Sequence, residues 1–276
     1  MTTRSTDAAD RSADPLPYDD EEAAPVVRYD IPASKYLIWD LETAGLPLDE
    51  LERRMPDFTK NIPKTINKEE TKREHIATKQ REWLQRAALD SYSGQIVMSN
   101  FKYSEGDTVL LHEGACGPDG PALTEQDICQ QTSDILHDAI RAGRLIVGFN
   151  SPRFDGTYFL CRCAAGENLV TPSPLLRYRW RGREYWHEAF YDLQDRWNCG
   201  YYDVHREGAR SLYALALHTG CEPKAGLGSD FPRLWVEERD TAIWYGEQDL
   251  HVTEQAAAAL GVIKINRQGQ KKGKAA

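Results

Sequence analysis

The sequence contains no long hydrophobic run: no stretch approaches the roughly 20 apolar residues that span a bilayer. Its first 30 residues have no apolar core and are acidic rather than arginine-rich, which argues against a secretory signal and a mitochondrial transit peptide. The expectation is a cytoplasmic protein with no membrane contact. Cysteine is sparse, at six in 276 residues. Cys116, Cys129, Cys161, Cys163, Cys199 and Cys221 form no C-x-x-C pair, so neither a disulfide framework nor a zinc site is expected. His187-Glu188 lacks the second histidine of an H-E-x-x-H zinc helix. Excess positive charge is also missing, since the net charge is −9. Residues 1–30 carry eight acids against three bases, whereas residues 263–276 carry five bases and no acid. The two ends nearly cancel and leave the interior acidic, a balance that by itself argues against a nucleic-acid binder, although distribution matters more than the sum.

What is present is enough hydrophobic material, 41% of residues, for a sizeable core. Residues 1–30 show no hydrophobic period and read as a disordered acidic tail. Residues 266–276 read as a flexible basic tail, and 31–265 as one folded domain. Lys35-Tyr-Leu-Ile-Trp-Asp40 reads as a buried strand ending on a carboxylate. Residues 45–92 form an insertion that begins with Pro47, Pro56 and Pro63 and continues as an exposed helix from about Lys68 to Leu89. Gln95–Phe101 and Thr108–His112 read as a hairpin turned at Glu105-Gly-Asp107. A helix from Thr124 to about Ala142 starts with a near capping box to Asp127. Leu145–Phe149 is a further buried strand, followed by a helix containing Asp155. Phe190–Leu193 is a fifth strand, and Ser211–Gly261 reads as helices broken near Gly220, Gly226 and Pro232. The expected fold class is α/β: a ribonuclease-H-like mixed five-stranded sheet flanked by helices, with a helical insertion after the first strand.

Three motifs carry candidate chemistry. In Ile38-Trp-Asp-Leu-Glu-Thr-Ala-Gly45, Asp40 and Glu42 are two apart on a strand and share a face, while Leu41 points the other way. In Val147-Gly-Phe-Asn-Ser-Pro-Arg-Phe-Asp155, a buried strand leads to a turn and then places Asp155 in the first turn of a helix, where an acid is also at home for dipole reasons alone. In Trp244-Tyr-Gly-Glu-Gln-Asp-Leu-His251, Tyr245 and Asp249 are four apart and share a helix face. Gly246 is unfavourable inside a helix by about 1 kcal/mol, so it hints at tight packing or a close substrate. Carboxylates are the donor type that Mg²⁺ and Mn²⁺ prefer. Two such ions about 4 Å apart can activate water and neutralise a phosphodiester.

In this order, D-x-E, N-x4-D and Y-x3-D resemble the three exonuclease motifs of the DEDD superfamily, in its tyrosine branch; the histidine branch would need His where Trp244 stands. Ala87–Val97, Tyr191-Asp-Leu193, Ser211–Ala216 and Lys224 further resemble the exonuclease-domain family related to family B DNA polymerases. The resemblance covers roughly residues 35–262. It implies a 3′–5′ exonuclease acting on the 3′ end of DNA, single-stranded by preference, and releasing nucleoside 5′-monophosphates. It implies two divalent metal ions, Mg²⁺ or Mn²⁺. Asp40 would touch both, Glu42 and Asp249 would complete the nucleophile side, and Asp155 would serve the leaving-group side. Tyr245, with an ordinary pKa of about 10, would orient the attacking water rather than act as a base. Leu41, Thr43, Asn150, Ser151, Phe154, Arg179 and Ser211 are the expected substrate contacts, with capping of the turn the alternative for Asn150 and packing behind Asp155 the alternative for Phe154. No polymerase palm or fingers fit in this length, so the expected partners are nucleic acid and a separate DNA polymerase or repair protein.

Two further stretches could hold nucleic acid. Lys60–Arg86 has eight basic and four acidic residues and could follow a phosphate backbone. It reads equally as a solvated helix with i,i+4 pairs such as Glu82–Arg86. Arg177-Tyr-Arg-Trp-Arg-Gly-Arg-Glu-Tyr-Trp186 reads as a hairpin with Arg177, Arg179 and Arg181 on one face and Tyr178 and Trp180 on the other. Such aromatics stack on bases or pack on the core. The alternative functions are an exoribonuclease of the same superfamily and a non-catalytic nucleic-acid-binding scaffold on the same fold.

Overall fold

The apolar run that closes on Asp40 forms the centre of the sheet. The computed structural model describes residues 32–115, 122–166, 168–180, 183–197, 211–223 and 228–265. Both expected tails, Arg181, Gly182, Lys224, Gly226, Cys116 and Cys199 lie outside them. Strand β1 (Tyr36–Gly45) is buried along nearly its whole length. The insertion follows as helix α1 (Leu48–Arg54), helix α2 (Glu69–Arg86) and a 3-10 turn over Ala87–Leu89. Helix α1 was not expected. Its N-cap is Pro47, and Leu51 is its buried residue, so one apolar side chain packed beside Ala87 suffices to organise the first stretch. Helix α2 buries none of its residues, as its polar composition predicts.

Strands β2 (Gly94–Tyr103) and β3 (Thr108–His112) form the hairpin, with Gly106 at φ +103° taking the turn conformation that side chains resist. Helix α3 (Glu125–Arg141) begins at Thr124, and the reciprocal capping box with Asp127 is complete. Strand β4 (Leu145–Gly148) leads to helix α4 (Asp155–Cys163). Strands β5 (Arg177–Trp180) and β6 (Arg183–Trp186) pair only with each other as a separate two-stranded ribbon. Strand β7 (Phe190–Asp192), helix α5 (Leu193–Trp197), helix α6 (Leu212–Thr219), helix α7 (Phe231–Glu237) and helix α8 (Arg239–Ala259) complete the order. The sequence led us to expect a helix break near Pro232, but Pro232 does not interrupt a helix. It occupies the first turn of α7, where its missing N–H is not needed, and the break falls at Glu238 instead.

The main sheet has the order β3-β2-β1-β4-β7. β1 is antiparallel to β2 and parallel to β4, and β4 is parallel to β7. This is a ribonuclease-H-like mixed sheet with helices on both faces and a helical insertion after the first strand. Alternation along β1 divides the core. Leu37, Trp39 and Leu41 face α3 and α4, while Tyr36 and Ile38 face α6 and α8. The described cysteines are free: Cys129 and Cys163 are buried, Cys161 is exposed and Cys221 lies between. No described helix is long and apolar enough to cross a membrane.

Candidate metal centre

Period-two alternation puts Asp40 and Glu42 on the α8 face of β1, and α8 brings Asp249 over them. One carboxylate oxygen from each of Asp40, Glu42 and Asp249 lies within 4.8 Å of the other two. Three hard oxygen donors at that spacing can hold a divalent cation. The pairing of β1 with β2 slips between Glu42 and Thr43. A bulge beside a site is a usual way to re-aim side chains at a strand end. Here Thr43 is turned so that its hydroxyl donates to the carbonyl of Ala88 at 2.6 Å, fastening β1 to the end of the insertion.

Asp155 approaches from the other side. It is the first residue of α4, and only 3% exposed. Its Oδ2 accepts the Ser151 hydroxyl at 2.6 Å, and the backbone N–H of Leu41, between Asp40 and Glu42, also donates to it. Burial pushes its carboxyl up to about 8, against those hydrogen bonds and with the negative charges of Asp192 and Asp249 adding to the rise. Gly148 makes this approach possible. A Cβ there would fall 1.8 Å from Ser151 Oγ and 2.9 Å from the Trp39 carbonyl, so no larger residue lets the turn sit against β1.

Tyr245 is 2% exposed, one helical turn before Asp249, with its ring against Phe231 at 6.0 Å. Its hydroxyl lies close to Gly228, being 3.8 Å from where a Cβ on that residue would stand. Gly246 is explained by packing. A Cβ there would lie 2.6 Å from Nδ2 of Asn100 and 3.1 Å from the Met98 methyl. Asn100 is wholly buried and pairs directly across from Asp40 on β2. Close approach of α8 to β2 therefore sets how far Asp249 stands from Asp40.

The acids open onto a cleft of about 390 Å³. Asp40, Leu41, Glu42, Thr43, Asn150, Phe154, Asp155, Ser211 and Asp249 line it. Ser151 is buried behind Asp155 rather than in the lining, and Ser211 caps α6 by accepting the Ala214 N–H at 3.1 Å. Arg179 is not among the lining residues. It stands on the ribbon, its side chain 74% exposed and 4.0 Å from Glu184. The ribbon register places Arg177 and Arg179 on the face shared with Glu184 and Trp186, opposite the stacked pair Tyr178–Tyr185.

Sequence reasoning missed two contributions. The insertion helps to build the cleft: Gln85, Ala88 and Leu89 form part of its wall. The sequence carried no signal of this, because Leu89 closes the 3-10 turn after α2 and its exposure, 62%, shows only in the structure. On α2 itself Glu82 pairs with Lys79 at 2.7 Å, not with the i+4 partner Arg86 expected above. The second is the part played by Asp192, which the sequence showed only within Tyr191-Asp-Leu193 and as an acid at the end of a buried strand, with no role assigned.

By sequence, the chain matches no family model and no curated protein. Among solved structures it is similar to the family B DNA polymerase from the hyperthermophilic archaeon Pyrobaculum calidifontis, with 16% identity and a TM-score of 0.46. The match covers 83% of this chain and 25% of the polymerase chain.

Proposed function

We propose that this protein is a metal-dependent 3′–5′ exonuclease that hydrolyses phosphodiester bonds at the 3′ end of DNA, single-stranded by preference, with residues 31–265 as the exonuclease domain. The observation that carries the reading is the convergence of Asp40, Glu42 and Asp249 within 4.8 Å in one cleft, from positions more than 200 residues apart. Bound divalent cations, Mg²⁺ or Mn²⁺, would supply charge neutralisation at the phosphate and activation of water. Asp40, Glu42 and Asp249 would hold the first cation, and Asp155, which faces the same cleft, would serve as the ligand for a second. Tyr245 orients the attacking water through its hydroxyl, held in place by burial against Phe231. Phe154 and Leu41 offer apolar surface to the terminal base, and Asn150, Thr43 and Ser211 offer polar groups to the sugar and phosphate. The product is a nucleoside 5′-monophosphate. A separate DNA polymerase or repair protein is the kind of partner such an activity serves.

The test is incubation of the purified protein with 3′- and 5′-labelled single-stranded DNA and RNA in Mg²⁺, Mn²⁺ or EDTA. Stepwise loss from the DNA 3′ end, abolished by EDTA and by Asp40→Ala, is the expected result. Binding without cleavage in every metal would replace the reading with a nucleic-acid scaffold, and RNA degradation with DNA left intact would replace it with an exoribonuclease.

A further inference from the structure

Asp192 is a buried acid that the reading above gives no task. It ends β7, pairs with Gly148 at the end of β4, and is 8% exposed. One of its oxygens, Oδ1, accepts two backbone N–H groups, from Asn150 and from Gln194, each at 2.8 Å. The first of these bonds reaches the strained point of the cleft. Asn150 has φ +61°, one of two non-glycine residues at positive φ among the described residues. Asparagine tolerates that conformation better than most residues but still needs the surroundings to hold it there. The turn depends on it, because the Asn150 carbonyl accepts the N–H groups of Arg153 at 3.2 Å and Phe154 at 2.9 Å. Asn150, Phe154 and Asp155 then line the cleft. A second tie joins the same two segments, from Arg153 to Asp195 at 2.7 Å, but it is exposed and weakened by solvent.

We propose that Asp192 is a positioning residue. Its carboxylate clamps Asn150 in the left-handed conformation and so sets where the turn delivers Asp155 and Phe154. The clamp is a hydrogen bond in a water-poor place, where it is stronger than the same contact in water. Its other oxygen, Oδ2, is buried and meets no donor among the described residues, so the contacts seen among them are made by one oxygen alone. An amide at this position could make the same two bonds. The effect on catalysis rests on the nuclease reading; the effect on the turn does not.

Four full-length proteins test this: wild type, Asp192→Asn, Asp192→Ala, and Asp192→Ala combined with Asn150→Gly. Two readouts are used, hydrogen exchange at the residue-150 amide and Mn²⁺ affinity, together with kcat and KM on a labelled oligonucleotide. Asp192→Asn keeps an acceptor and should stay within about threefold of wild type in exchange and kcat. Asp192→Ala should speed exchange at residue 150 at least about tenfold and lower kcat more than tenfold, with a smaller change in KM. Glycine at 150 adopts positive φ unaided, so the double variant should recover part of the Mn²⁺ affinity lost in Asp192→Ala. Wild-type exchange in Asp192→Ala overturns the proposal. So does Asp192→Asn damage equal to that of alanine, which would assign the role to charge instead of the clamp. If Asp192→Ala does not fold, the double variant decides: recovery of the fold by glycine at 150, which needs no clamp, supports the proposal, and no recovery overturns it. A wild type that neither binds Mn²⁺ nor cleaves DNA sinks the nuclease reading, while the exchange measurement still judges the clamp.

Discussion

Asp155 and Glu125 are each the first residue of a helix, each mostly shielded from water, and only 30 positions apart, yet the chain treats them in opposite ways. Glu125 takes the Arg162 guanidinium at 2.8 and 2.6 Å, the Asn168 amide at 2.9 Å and the Ile96 N–H at 2.7 Å. Arg162 in turn reaches the Ser91 carbonyl at 3.1 Å. The protein itself supplies the cation, and the network joins α3, α4 and the start of β2. Asp155 is given a hydroxyl and an N–H, and its charged neighbours are Asp192 and Asp249. A buried acid beside a fixed arginine is a fastening, whereas one set among other acids has a charge that something from outside must neutralise. The buried Glu254, held by Lys102 at 2.7 Å and the Tyr36 hydroxyl at 2.8 Å, falls with Glu125.

The sharpest way to break this contrast is to remove one acid of each kind. Glu125→Ala leaves Arg162 buried without its partner, and should cost about 3–5 kcal/mol of folding stability, read from the denaturant midpoint. The DNA-cleaving rate per folded molecule should change little. Asp155→Ala should do the reverse, lowering kcat by about 10²–10³-fold while leaving the midpoint of the EDTA-treated protein unchanged or raised. If both variants lose stability and activity together, the two acids do not differ as described.

A smaller effect tests the spacing of the cluster. Gly246→Ala pushes against Asn100 and Met98, and overpacking of that kind costs about 1–3 kcal/mol. Mn²⁺ affinity, measured by calorimetry, should fall as well, because Asp249 rides on the same helix. Unchanged stability would mean that Asn100 moves aside freely.

The mildest test is pH. In metal-free protein the Asp155 carboxyl stands at about 8, well above the unfolded value of about 4. A raised acid favours the fold while protonated. Its contribution is therefore complete below about pH 4 and is lost as pH rises through about 8. In EDTA the melting temperature should fall between about pH 4 and 8, and saturating Mn²⁺ should flatten that decline. Asp155→Asn should remove much of the slope. A slope that Mn²⁺ and the substitution both leave intact belongs to other groups.

Local pattern carried much of this far. The central strand, the hairpin with its glycine turn, the capped helix at Thr124 and the helical end of the chain were all legible from period and punctuation, because those signals act between neighbours a few residues apart. The sharing of a face by Asp40 and Glu42 was legible for the same reason, since a strand alternates strictly. Helix α1 was not, because a single buried leucine leaves no period to read. Nor was the route of the insertion: near its end α2 packs Trp83 and Leu84, half-buried, against Leu46, Leu51 and Ala87, and so short an apolar stretch does not say which part of the molecule that end covers. The β5–β6 ribbon was legible both in its alternation and in standing apart from the five strands expected for the main sheet.

The sequence by itself determined which side chains could hold a cation and the order of elements that carry them, for both follow from residue type and short-range spacing. Only the tertiary structure decided that Asp249 closes over Asp40 and Glu42, that Gln85, Ala88 and Leu89 wall the cleft, and that Asp192 grips Asn150. These are contacts between segments 40 to 200 residues apart, and they are set by how closely backbones pack, through glycines such as Gly148 and Gly246 that leave room for a neighbour and by themselves do not name it.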